Sequence, residues 1–230
     1  VSALAVYLER ADIATVVVGL IKPHLEKTKP PRSLFVPFEL GRPLGAYVDG
    51  GEFQKRVLRT AFALLDRTDG PVILEEFPDD DPSEVGDTDW QAPVLNDATS
   101  VVEEVAALMP AWEQAKARFG RSTTGLSGLA PREAADYLER FDTQSPASNP
   151  NDDMSDLLRM RFCADDVKAF FAEAAMAKGS PSSRQVGDWF WGSTRASAAL
   201  RRIAQDNTSH ENKVRALVCS KFLVPGARQA

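Results

Sequence analysis

The stretch Glu39-Leu40-Gly41-Arg42-Pro43-Leu44-Gly45 gathers the residue types from which a small-anion site is built. The planar fork of Arg42 suits a carboxylate or a phosphate. Gly41 and Gly45 permit positive φ and close backbone approach, and Pro43 fixes the loop between them. Glu39 can neutralise Arg42 or hold a substrate ammonium. The competing reading is a rigid turn whose arginine pairs with one of the local acids. Neither dinucleotide nor P-loop glycine spacing is present. His24 follows the first predicted strand and is placed to face the same crevice, where a histidine serves as acid or base near neutral pH; the plainer reading is a passive surface histidine.

The other chemically interesting residues carry less. Cys163 and Cys219 are the two cysteines, both in apolar helical contexts without CxxC spacing. They read as buried small hydrophobes rather than nucleophiles. His210 reads as a helix-start cap. Five aspartates between positions 79 and 89 invite comparison with a calcium loop, but the EF-hand order is absent, so no metal role is expected. Trp189 and Trp191 read as anchors of the helical tail in a groove, with a ligand stack as the alternative. No Ser-His-Asp set, metal cluster or paired carboxylates can be argued. No catalytic residue is assigned and no cofactor is called for.

These side chains must be positioned by the elements around them. Ser2–Arg10 has the spacing of a helix, with Leu4 and Leu8 on its apolar face. Residues 13–21 form a continuous β-branched run, the mark of a strand buried on both faces in a parallel sheet. A short polar helix or turn follows. Residues 33–38 form a second strand, confined by Pro37 to an edge or strand end. An amphipathic helix from Gly51 places Phe53, Val57, Ala61, Phe62 and Leu65 on one side and is stopped by Gly70. Residues 71–77 form a third strand.

Helices are then predicted at about 98–119, 131–141, 154–178, 183–205 and 209–223, with Asp153 or Ser155 as cap of the third. The expected fold class is α/β: a small, mostly parallel, Rossmann-like sheet in residues 1–97 and a mainly helical region in 98–230, with a linker near 145–153. In such sheets ligands bind at the carboxyl ends of the strands, which is where the Glu39–Gly45 loop falls.

The chain has 230 residues, is 43% hydrophobic and 26% charged, and carries a net charge of −6. That balance argues against a nucleic-acid footprint. Charge is unevenly spread: residues 154–230 hold 12 basic against 7 acidic side chains, so a basic tail could dock on an acidic body or on a partner. The blander explanation is solvated helix faces. Sparse cysteine points to a reducing cytoplasm, and no apolar run is long enough to span a bilayer. Val1 leads directly into a helix, which fits a trimmed chain, a non-methionine start or missing upstream sequence alike.

The first 45 residues also resemble the C-terminal part of the selenoprotein B subunits of glycine, sarcosine, betaine and D-proline reductases. Glu9-Arg10-Ala11-Asp12-Ile13 is similar to that family's "ERAGIP" helix end, with Asp12 in place of glycine and Ala14 in place of proline. Pro37-Phe38-Glu39-Leu40-Gly41 is similar to its strand-ending loop. The resemblance covers about a fifth of the chain and does not extend to the helices after residue 98. It implies reductive C–N cleavage of a small carboxylate or amino-acid-like substrate, a thioredoxin-type electron donor, and homo- or hetero-oligomers. The family's selenocysteine or cysteine lies upstream of the matching helix, and no cysteine precedes Cys163 here, so the nucleophile would come from outside this chain. A non-catalytic binding or assembly protein is the other reading.

Overall fold

The computed structural model describes residues 1–46, 49–82, 86–95, 98–141 and 154–228. The chain divides into two compact units, Val1–Val85 and Gly86–Ala230. The expected linker near 145–153 lies outside the described residues.

The first unit is α/β. Its described elements run α1 (Ser2–Glu9), β1 (Val17–Gly19), α2 (Lys22–Thr28), β2 (Arg32–Phe35), α3 (Glu52–Ala63) and β3 (Ile73–Glu76). The three strands form one sheet in the order β1-β2-β3, every pairing parallel. Val18 pairs with Leu34, and Leu34 with Glu75. Successive side chains point to opposite faces, so the two layers can be assigned. Leu34, Val36 and Ile73 pack with Phe53, Val57 and Ala61 of α3. Val17, Phe35 and Leu74 pack with Ala5 of α1 and Leu25 of α2. The sheet is therefore covered on both sides, which explains the unbroken apolar runs of its strands.

Several local expectations shift. The apolar run 13–21 yields a strand of only Val17–Gly19, because Asp12 turns left-handed and the chain enters α2 at Lys22. On α1 the buried residues are Ser2 and Ala5, while Leu4 is 59% exposed, so the apolar stripe predicted through Leu4 faces outward. Phe62 of α3 is 56% exposed, and the buried place expected of it is taken by Leu64, just past the helix. Ala63 ends that helix, and a 3-10 turn at Leu64–Asp66 precedes Gly70.

The described elements of the second unit are all helices, chiefly α4 (Val101–Phe119), α5 (Pro131–Arg140), α6 (Asp156–Ala175), α7 (Ser183–Ser193), α8 (Arg195–Asp206) and α9 (Lys213–Phe222). Helix α6 forms its axis, contacting α4, α5, α7 and α9. It buries Met160, Cys163, Val167, Phe170 and Phe171 in a core shared with Trp112, Leu138, Trp189, Phe190, Leu200 and Ile203. The helix expected at 183–205 is two helices broken at Thr194, whose extended backbone ends α7 and whose Oγ accepts the Ser197 N–H at 3.0 Å to cap α8. Ser155 caps α6; Asp153 lies outside the described residues. Asn212, not His210, caps α9, its Oδ1 accepting the Val214 and Arg215 N–H groups, while His210 Nδ1 accepts from Asn212 N–H. No helix among the described residues is long and apolar enough to cross a membrane.

Candidate functional site

The Glu39–Gly45 loop leaves the carboxyl end of β2, and its backbone is held from several sides. Arg42 N–H donates to Glu39 O and Gly45 N–H to Arg42 O, both at 3.0 Å, giving two successive turns. Gly41 and Gly45 have φ of 94° and 71°, the left-handed region that favours glycine. A side chain at Gly45 would also meet the Phe53 ring, 2.6 Å from the position of a Cβ.

Beyond the turns, Gln54 Nε2 donates to Gly45 O at 3.2 Å, and Ala46 N–H donates to Asp81 Oδ1 at 3.1 Å. Asp81 is itself buried. Beneath lies a triangle of Phe38, Phe53 and Phe77, with ring centroids 5.5–5.9 Å apart. Interlocking aromatic edges of this kind give the loop a stiff floor.

Upon that floor Arg42 is exposed, and its guanidinium makes no hydrogen bond or ion pair with any described residue, Glu39 included. The neighbouring cation does otherwise: Arg56 pairs with Asp79 at 2.9 Å and lies over the Phe53 ring. Glu39 is also exposed. His24 sits exposed in the first turn of α2, which packs on the opposite face of the sheet from α3 and the Phe38–Phe53–Phe77 floor. Glu39, Arg42 and Gly45 thus share one hydrogen-bonded double turn. No hydrogen bond ties His24 to them.

Three of the five aspartates of 79–89 are separately occupied: Asp79 on Arg56, Asp81 on Ala46, and Asp87 on the N–H of Asp89. Among the described residues no three His, Cys, Asp or Glu side chains gather as metal ligands. Cys163 and Cys219 are fully buried, and burial pushes the Cys163 thiol up to about 12 and raises that of Cys219. A thiol so protected is a poor nucleophile. Trp189 and Trp191 are buried in the helical core.

Three carboxylates that the sequence did not single out carry much of the buried polar structure of the helical unit. Asp166 accepts from the N–H groups of Gly125, Leu126 and Ser127 and from Ser127 Oγ. One helical heptad further on, Glu173 accepts from Thr123 N–H and Oγ, Ser122 Oγ and Trp112 Nε1. Burial would raise the Glu173 carboxyl, but these donors outweigh it and hold the group below its ordinary value. Glu104 accepts the first two N–H groups of α8, from Arg195 and Ala196, at 2.7 and 3.0 Å. There burial prevails and raises its carboxyl. The spacing of Asp166 and Glu173 on one helix face was the available signal; their partners in the 122–127 loop were not deducible from it.

At the amino end of the sheet lies a cavity of about 460 Å³, lined by Glu9, Arg10, Arg32, Arg67, Thr68 and Pro71 among others. It involves none of the loop residues. Comparison with known proteins returns no significant match to any family model, curated protein or solved structure.

Proposed function

We propose that this chain supplies the scaffold and a substrate-pocket wall of a reductase similar to the selenoprotein B subunits, with the redox nucleophile provided from outside residues 1–230. The observation that carries this reading is Arg42: an unpaired guanidinium on a rigid, glycine-bounded loop at the carboxyl end of a parallel strand. Such an arginine receives a carboxylate in a bidentate fashion at little reorganisation cost. Gly41 and Gly45 bring the backbone close to the ligand and Glu39 offers a partner to an ammonium group, while His24, carried by α2 on the opposite face of the sheet, is left out of the site.

A further support comes from the helix end that carries the resemblance. Asp12 has φ of 59° and its N–H bonds to Glu9 O, while Ile13 N–H bonds to Leu8 O. That pair of bonds is a Schellman cap, whose left-handed position glycine normally occupies. Asp12 therefore takes a glycine's conformation where the resembling family has a glycine. The reading also takes the sheet as Rossmann-like, with one departure. Connecting helices of three consecutive neighbouring strands in such a fold share one face, whereas α2 and α3 lie on opposite faces. Within this reading the substrate is a small amino-acid-like carboxylate, the donor is of thioredoxin type, the protein works as an oligomer, and its home is the reducing cytoplasm.

One observation favours a second reading, a non-catalytic binding or assembly protein: both thiols are buried and protonated. Calorimetric titration with glycine, sarcosine, betaine and D-proline separates the two. The first reading expects binding that Arg42→Ala weakens about tenfold or more, the loss of a bidentate pair. Absence of binding to all four, or equal affinity in Arg42→Ala, removes the reductase reading.

A further inference from the structure

Helix α9 is apolar on two sides. Its inner side buries Cys219 and Leu223 in the helical core, with Val218 packed against it. Its outer side carries Val214 and Leu217, 63% and 54% exposed. A helix apolar all round belongs in a buried setting, and here the outer side stands open.

That open side leads into a cleft of about 500 Å³ between α9 and α8. Leu217 lies one turn before Ser220 and Lys221 on the same helix face, and these two form part of one wall. Arg201, Gln205 and Thr208, a stripe running off the end of α8, form the other, and Ala204 and the buried Val224 supply the apolar lining.

The charge of the cleft is one-sided. Arg201 and Lys221 line it, and no acidic side chain among the described residues does. Arg201 is half-buried over the Trp191 ring, and its guanidinium donates to the carbonyls of Trp191 and Arg228 at 2.8 and 3.4 Å. Those neutral acceptors fix its direction and leave its charge without a counter-ion among the described residues. The ammonium groups of Lys221 and of Lys213, at the start of α9, make no hydrogen bond or ion pair with any described residue.

We infer that this cleft and the exposed side of α9 form a docking surface for an acidic amphipathic helix of another protein. Laid in the cleft, such a helix offers apolar side chains to Val214, Leu217 and Ala204 and carboxylates to Arg201 and Lys221. Charge decides against a second copy as the occupant. A symmetric pair sets the surface on its own duplicate, so Lys213, Lys221 and Arg201 would face the same cations with no acid between them. Arg201, set into a cleft wall, is also better placed for a convex helix than for a flat lipid surface. The surface belongs wholly to the second unit, so it stands independently of the Arg42 reading.

The test titrates the full, isotope-labelled 230-residue chain with a synthetic helix of about 18 residues, leucines at i, i+3, i+4 and i+7 and glutamates elsewhere. Saturable amide shifts are expected at Gln205, Leu217, Ser220 and Lys221. The same peptide with lysines for its glutamates, or with its leucines scrambled, should bind about tenfold more weakly or worse. Leu217→Ser and Lys221→Glu, both at exposed positions, should each weaken binding about tenfold. Leu126→Ser, at an exposed leucine elsewhere in the helical unit, should leave it unchanged. The inference is overturned if the glutamate peptide gives no saturable shifts, if the shifts fall elsewhere, or if the lysine or scrambled peptide binds as well. It is overturned equally by a dimer in sedimentation velocity that Leu217→Ser dissolves, which makes the occupant a second copy, or by Leu217-dependent binding to phosphatidylglycerol vesicles, which makes it a lipid surface.

Discussion

Replacing Asp166 by alanine should destabilise the helical unit by about 3 kcal/mol, with the loss concentrated in one loop. Asp166 is 3% exposed, and its oxygens accept three backbone N–H groups at 2.9 Å and the Ser127 hydroxyl at 2.6 Å. Hydrogen bonds to a charged group contribute about 1.5–3 kcal/mol each, but they are not additive. Gly125 and Leu126 are exposed, so their N–H groups turn to water once the carboxylate is gone. Ser127 is 1% exposed, and its N–H has no such recourse. The cost is therefore one fully stranded buried donor, at about 1–3 kcal/mol, plus a net loss on the remaining bonds, offset in part by relief of a buried charge.

The isosteric Asp166→Asn keeps one acceptor oxygen for Gly125 and Leu126 but turns an amide toward Ser127, so about half the loss is expected. Urea unfolding followed by tryptophan fluorescence reads both variants, and an unchanged denaturant slope shows that the comparison is between like states. Amide exchange at Gly125–Ser127 should quicken more than elsewhere. A cost below about 1 kcal/mol for the alanine variant would refute the reasoning, because Ser127 must then find a donor's partner that its burial forbids.

Two other outcomes follow from the same kind of accounting. Glu173 has its folded-state value lowered, so its contribution is present above the ordinary carboxylate value and is lost as pH falls through the lowered one. Acidification should weaken the wild type over that window and change the fluorescence of Trp112, whose indole donates to Glu173 at 2.8 Å, while Glu173→Gln should show a flatter acid limb; an identical limb would exclude the pairing as its source. At Asp12, φ of 59° places an L-residue in the left-handed region. Asp12→Gly should stabilise by about 0.5 kcal/mol and Asp12→Ala destabilise by a similar amount in thermal unfolding, since glycine alone escapes the steric cost; an alanine variant as stable as glycine would contradict the cap.

What was legible in the sequence was what depends on neighbours along the chain. The β-branched runs gave strands because only burial on both faces tolerates them, and the parallel order followed from the alternation with helices. Gly41 and Gly45 were readable because their turns need positive φ. What depends on partners distant in sequence was hidden. Nothing in Glu9 announces that it will meet Arg32, 23 residues on. The outward face of α1 is another case: Leu4 looks like core by spacing, yet Ala5 is the residue small enough to let α1 lie close against Val17 and Leu25. At Thr194 the sequence did hold a signal, a threonine three residues before Ser197 beside Gly192, but a long apolar-periodic stretch masked the break.

The two ends of the sheet are unequal in a way that bears on function. At the carboxyl end the backbone is satisfied from every side, by Asp81, Gln54 and the loop's own turns, and one exposed cation is left over. At the amino end Arg32 and Arg67 are paired with Glu9, Asp69 and Glu75, and the Arg32 Nε–H is closed off from solvent. A rigid loop with an exposed arginine suits transient recognition, because solvent screens the charge and exchange is fast.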